Sequence, residues 1–503
     1  MISPETYLSY KGLPPLGGLC TMAEAAKPGL SVEECVRRLK RFHYAFKRLH
    51  QILMARITSE PIYELKTAFA HHAYLCAEHV TALRTRIGEM REPPLGLEDV
   101  PHPALEAYFD EMLNAPTKYL LIGLYSHSLG WLFTAVEKYE VATHPLTDAP
   151  SKRLLKFAKI ELEEMYQFGG KVFSLLGVPG DMREWFTTVL DVMLIEAGEL
   201  SGPPMPPASG ERKPLDASTI NTSHPVIDAV TDSGNIRGLT PPTRRYSKTP
   251  FVYNPVPQRD ERFTDSWNQG VNAEAFLYDE TKPASAKVLM MLYKRLREID
   301  VPEMMASIIA QTPGKPWGYY RDMSRQVWDE ARHAMMGEVG FVALGVDWTK
   351  ATVTWNWSYR LNTECTPMER HGVLFFIEQG LMPKTGKRYE YEVARDSGFP
   401  LAATLQDFDW ADEVLHSQIG RQWYVPEFAS LKEALDFGDR AWSKVLSNWI
   451  TVKQQGLTQH NNWWPEVYEQ ACVSAGQSPD PAVLAFAETY EGKRADLQRI
   501  AAE

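Results

Sequence analysis

A chain of 503 residues, 44% of them apolar, has room for two or more domains, each with a full core. Its formal net charge of −11, with no basic run to offset it, argues against a nucleic-acid partner. Five cysteines without a Cys-x-x-Cys pair, and Pro and Gly where a secretion signal needs an apolar stretch, fit a reducing cytoplasm rather than export.

Residues 1–30 read as an extended arm rich in Pro and Gly. A capping box at Ser31 opens a helical pattern that runs to about Thr58. After the break at Ser59-Glu60-Pro61 a second helix reaches about Met90. Beyond a loop with Pro93, Pro94, Pro101 and Pro103, helical segments fill 103–142 and 150–177, and two short ones fit 180–200. Tyr119 to Val136 carries no charged side chain and has the length of a membrane span. Ser126, His127, Ser128 and Gly130 interrupt it, so the expectation is a buried core helix and no membrane.

Residues 200–260 hold eleven Pro between Pro203 and Pro257 and read as a linker without a core of its own. It separates two halves that look alike. Tyr139-Glu140-Val141-Ala142 recurs as Tyr391-Glu392-Val393-Ala394, and close to the same offset Gly170 matches Gly420 and Phe173 matches Trp423. With no sustained β alternation, the class is all-α: two tandem helical bundles, 31–199 and 261–503, joined by the Pro-rich linker. Helical segments from Ser430 to Val452 and from Pro481 to Ala502 finish the second, with a loop at Asn461–Pro465.

The second half carries the chemistry. Asp329-Glu330-Ala331-Arg332-His333 is repeated as Asp412-Glu413-Val414-Leu415-His416. On a helix each Glu and His, three apart, share a face and can aim at one metal. Each Asp lies one turn before its own His, where its carboxylate can accept the imidazole N–H that the metal leaves over. A two-metal site built from such a pair in a helix bundle calls for one further Glu from each of two other helices. If Thr312–Pro316 is the turn before the first motif, counting back to the height of Glu330 reaches Glu298, with Asp300 and Glu303 as neighbouring choices. A turn within Arg395–Pro400 leads in the same way to Glu378, in an otherwise apolar run where an unpaired carboxylate is costly.

These motifs resemble the ferritin-like di-iron carboxylate superfamily, and the form at 329–333 looks most like the hydroxylase subunits of bacterial multicomponent monooxygenases. The second copy departs from it with Leu415 in place of Arg. The resemblance covers roughly residues 284–425 and implies six ligands: Glu298, Glu330, His333, Glu378, Glu413 and His416, with Asp329 and Asp412 behind the imidazoles. Carried back along the repeat, these positions become Tyr44, Cys76, His79, Ser126 or His127, Glu163 and Tyr166. That set cannot supply four hard oxygen donors, so the first bundle is expected to be a degenerate, metal-free scaffold.

Four carboxylates and two imidazoles balance two divalent ions, iron or in part manganese, and suit O2 activation. The expected function is therefore a di-iron oxidase or oxygenase acting on a small organic substrate. The other reading is a ferritin-like protein that oxidises or stores iron or handles peroxide. No nucleotide- or flavin-binding motif appears, so electrons are expected from a separate reductase or from the substrate. A homodimer is left open. Residues one turn from the ligands, Gln326, Val327, Gly337, Leu374, Phe375, Leu381, Trp410 and Gly420, are expected to wall the pocket. Two imidazole patterns stand outside this scheme: the stripe His72, Cys76, His79, read as buried packing, and His371, two turns before Glu378.

Overall fold

Some helix starts follow local capping chemistry in the computed structural model, which describes residues 2–92, 94–202, 244–268, 270–446 and 449–489. At Thr366 the hydroxyl accepts the Glu369 N–H (3.2 Å) and Glu369 Oε2 accepts the Thr366 N–H (2.8 Å), with Pro367 in the first turn where a missing N–H costs nothing. Among the described residues the chain is helical and has no strand.

It separates into two compact units: Met1–Leu49 with His79–Phe251, and His50–Glu78 with Val252–Glu503. The boundary falls inside helices α1 (Val32–Arg56) and α2 (Tyr63–Gly88). Residues 50–78, placed by sequence in the domain 31–199, therefore belong with the second unit. Of the stretch 200–260, residues 203–243 lie outside the described residues.

The first unit also contains α3 (Pro103–Asn114), a long helix α4 (Thr117–Ala142) and α5 (Ala149–Leu176). α4 contains a wider turn over Gly123–Ser128. It is long and apolar enough to cross a membrane, and 67% of its most apolar window is buried inside the unit. Glu111, fully buried on α3, fixes the end of the Pro-rich stretch: its carboxylate accepts the backbone N–H groups of Arg245 (2.9 Å), Tyr246 (2.8 Å) and Ser247 (2.9 Å). The repeat counterparts of the ligands do not converge here. Tyr44 and His127 are buried, Glu163 and Tyr166 are exposed, and Cys76 counts with the other unit.

In the second unit four helical columns build the bundle. Column one is α6 (Ala284–Arg297) followed by α7 (Asp300–Ala310), and column two is α8 (Trp317–Ala343). After α9 (Asn356–Glu364), column three is α10 (Pro367–Gly380) followed by α11 (Lys387–Asp396), and column four is α12 (Pro400–Trp423). α6 packs on α8 and α11, α7 on α10, and α8 and α10 on α12. The turns lie where the sequence puts them, with Gly314 (φ +81°) and Gly398 (φ +78°) taking the left-handed conformation that a side chain disfavours.

The count along each hairpin runs through columns one and three, and both are broken beside the site. At Glu298–Ile299 the bonding tightens from four residues to three, with Glu298 N–H on Arg295 O (3.0 Å) and Val301 N–H on Glu298 O (3.0 Å). At Leu381–Gly386 the chain loops out around Pro383, and a Cβ on Gly386 would come within 2.2 Å of Leu381 O.

The C-terminal segments depart from expectation as well. After α13 (Leu431–Leu446) and α14 (Trp464–Ser474), the described part of the stretch read as 481–502 is helical over Pro481–Leu484 and not over 485–489. Trp464 Nε1 donates to Val483 O (2.8 Å) and Asn462 Nδ2 to Phe486 O (2.9 Å), which ties down carbonyls that a longer helix would use. Residues 490–503 lie outside the described residues.

Candidate metal centre

Helical spacing brings both motifs to the centre of the bundle. Glu330, His333, Glu413 and His416 are each at most 2% exposed, and Glu378 is 4% exposed. Around His333 Nδ1 stand Glu298 (3.3 Å), Glu330 (3.5 Å) and Glu413 (4.0 Å). Around His416 Nδ1 stand Glu330 (3.1 Å), Glu413 (3.7 Å) and Glu378 (3.8 Å). Glu330 and Glu413 thus reach both imidazoles, while Glu298 and Glu378 each serve one. All six residues named from the sequence are brought together.

The supporting aspartates are crossed. Asp329 was expected to back His333 on its own helix, and Asp412 to back His416. Instead His333 Nε2 meets Asp412 (3.3 Å) and His416 Nε2 meets Asp329 (3.4 Å), each across the α8–α12 contact. Side chains on a helix lean toward its N-terminus over their own turn, whereas the inward imidazole points at the facing helix, where the other Asp lies. Arg332 bridges the two aspartates, pairing with Asp329 and donating to Asp412 (2.8 Å).

A cation set fits this geometry. With Nε2 committed to an aspartate, each Nδ1 faces carboxylates. His333 Nδ1, His416 Nδ1 and one oxygen each of Glu298, Glu330, Glu378 and Glu413 are buried without a hydrogen-bond partner. Six such atoms in one place form a ready set of ligands, since native interiors otherwise pair their buried polar groups. Their oxygen-rich donor set matches iron or manganese rather than a soft metal. Without ions, protons do the balancing. Burial pulls the His333 imidazolium down, but Asp412, Glu298 and Glu330 outweigh it and hold its pKa up at about 10. His416 is likewise raised against burial by Asp329 and Glu330. Burial drives Glu378 well above the carboxylate range, helped by the adjacent Glu413 charge.

Sequence reasoning missed a second layer on the His333 side. Asp409, fully buried one turn before Glu413, lies 3.5 Å from His333 Nδ1 and joins Glu298, His333 and Glu413 in one group of ligand atoms. Lys387 Nζ lies 2.8 Å from Glu413 and 2.9 Å from Asp409, and Arg295 pairs with Asp409 and with Glu298 (2.9 Å). The i, i+4 relation of Asp409 to Glu413 was a signal. Lys387 had none, because the loop at Leu381–Gly386 is what brings it inward. On the His416 side the equivalent neighbour is neutral: Gln326 Nε2 donates to Glu378 (3.1 Å).

Neither neighbouring choice for Glu298 joins the cluster, and Asp300 Oδ1 is held by Ser358 (2.9 Å) and Arg259. Glu303 is consumed by Lys66, Arg259 (3.0 Å) and Ser358 (2.7 Å). His371 sits among the rings of Tyr319 and Tyr424, away from the cluster.

A cavity of about 120 Å³ borders Glu298, Glu330, Glu378 and Glu413. Leu374 and Leu381 line it, as expected, but Val327, Gly337, Phe375 and Trp410 do not. Val327 is in the core, Phe375 packs on Tyr424, and Trp410 lies near Tyr391 of α11. The glycines after each His make room for helices, not for substrate. A Cβ on Gly337 would meet the Leu296 backbone N at 2.3 Å, and one on Gly420 the Phe375 ring at 2.3 Å. The wall comes instead from α7, α9 and α10, with Met304, Leu361 and Ile377. No family model, curated protein or solved structure matches the chain.

Proposed function

We propose that the second unit is a ferritin-like di-metal oxidoreductase that uses O2 to oxidise a small organic molecule, and that the first unit is its scaffold. The observation that carries this is the set of six unpartnered, buried donor atoms drawn from four helices and opening on an apolar cavity. Two iron ions, or manganese in place of iron, supply the redox equivalents for reducing O2 when bound. Glu330 and Glu413 would reach both ions, with Glu298 and His333 holding one and Glu378 and His416 the other. Asp412 and Asp329 keep each imidazole turned with Nδ1 inward. Met304, Leu361, Leu374 and Ile377 keep water from the side where substrate would lie. The chain carries no motif for its own electron-carrying cofactor, so the reading includes a separate reductase or a substrate that supplies the electrons.

The test is anaerobic loading with Fe(II) followed by O2. The expected result is two iron per chain, rapid O2 uptake, and loss of uptake in His333→Ala and Glu330→Ala. Two bound iron that do not react with O2, or uptake of iron far beyond two per chain, would remove the oxygenase reading, the latter in favour of storage.

A further inference from the structure

Among the acidic side chains of the cavity that the centre does not use, one has an unpartnered oxygen. Asp300 opens α7 just past the break at Glu298, is 1% exposed and lines the same cavity. Its Oδ1 accepts the Ser358 hydroxyl (2.9 Å) and pairs with Arg259. Oδ2 is buried and has no hydrogen-bond partner. A carboxylate held rigidly by one oxygen and left unsatisfied at the other is arranged to accept a hydrogen bond from something in the cavity. Nearby, Met304, Leu361, Leu374 and Ile377 offer only hydrocarbon.

Size and charge narrow the ligand. At about 120 Å³ the space is comparable to a protein cavity of roughly 150 Å³ known to admit benzene. Arg259 already offsets the Asp300 charge, and Lys294, Arg295 and Arg297 line the same cavity, so a cationic ligand gains little there. An anionic ligand would lie against Asp300 and the Glu298, Glu330, Glu378 and Glu413 carboxylates that line the same cavity. We infer that the substrate is an uncharged molecule the size of a single ring, apolar except for one hydroxyl or amino group that donates to Asp300 Oδ2. This rests on the reading of the adjacent centre as one that oxidises a bound organic molecule.

Calorimetry on the full-length protein loaded with Zn(II), which is redox-inert, tests it with phenol and cyclohexanol against toluene and methylcyclohexane, and with benzylammonium and benzoate. Phenol and cyclohexanol are expected to bind about tenfold tighter than the matching hydrocarbons, although water holds the hydroxyl compounds better. In Asp300→Asn, where Arg259 retains the side-chain carbonyl and the amide NH2 takes the Oδ2 position, the preference should vanish. Equal or weaker binding of the hydroxyl compounds by the wild-type protein overturns the inference without reference to any variant. So does tighter binding of either charged probe, or a preference that survives in a folded Asp300→Asn. Zinc content of the same samples separates the two levels. Two zinc per chain without a hydroxyl preference sinks the inference alone, and no zinc at the centre sinks the reading beneath it.

Discussion

His333 and His416 each have one nitrogen on an aspartate of the facing helix and the other among carboxylates. Because the support is crossed, each aspartate would act on an ion held by the other motif. Asp412→Asn is expected to weaken the His333 position by about 10–100-fold and leave the His416 position nearly intact, and Asp329→Asn to do the reverse. Metal titration combined with anomalous diffraction on the two variants distinguishes this from support along each helix. The same residues set a pH dependence. In metal-free protein His333 keeps its proton up to about pH 10, whereas the unfolded chain releases it near its ordinary pKa of about 6.5. Its contribution to stability is therefore complete below about pH 6.5 and lost as pH rises toward 10. Bound ions replace that proton, so the rise in Tm on metal loading should grow from pH 6.5 to pH 9. A rise that is constant or shrinks over that range contradicts the arrangement.

At the scale of elements, the bundle depends on two straight columns and two broken ones. α8 and α12 carry the paired motifs on continuous helices, so spacing alone made Glu330, His333, Glu413 and His416 legible. Glu298 and Glu378 were reached by counting along hairpins, which tolerates a break as long as the residue stays at the same height. What the breaks do was not legible. Pro383 and Gly386 can mark the end of a helix, but nothing local says that the chain re-enters with Lys387 against Glu413. The wall residues failed for a related reason: one-turn spacing gives a face of a helix, and the neighbouring helix decides whether that face meets a cavity or a packed side chain. Gly337 shows the difference. With the Leu296 backbone at 2.3 Å from an added Cβ, Gly337→Ala should cost about 1–3 kcal/mol through the α6–α8 contact. Gly170→Ala on α5, where an added Cβ meets nothing within 4 Å, should instead stabilise by about 0.5–1 kcal/mol. Thermal denaturation of both variants checks the pair, and a harmless Gly337→Ala would mean that α6 and α8 pack less closely than described.

Across the whole molecule, the all-helical class followed from the helical patterns and the absence of sustained β alternation. The division into units did not follow the chain, because residues 50–78 supply side chains such as Lys66 that are buried against Glu303 in the second unit. No local pattern announces a lysine destined for a buried ion pair. The proposed centre rests on the convergence of four columns on one set of buried donor atoms. The most direct measurement is anomalous diffraction from crystals of the full chain grown with Mn(II) or with Fe(II) under anaerobic conditions. Two peaks are expected per chain, one beside His333 Nδ1 and one beside His416 Nδ1, with Glu330 and Glu413 reaching both. Loaded crystals with no anomalous peak between those imidazoles, or with ions bound only at the surface, would contradict it.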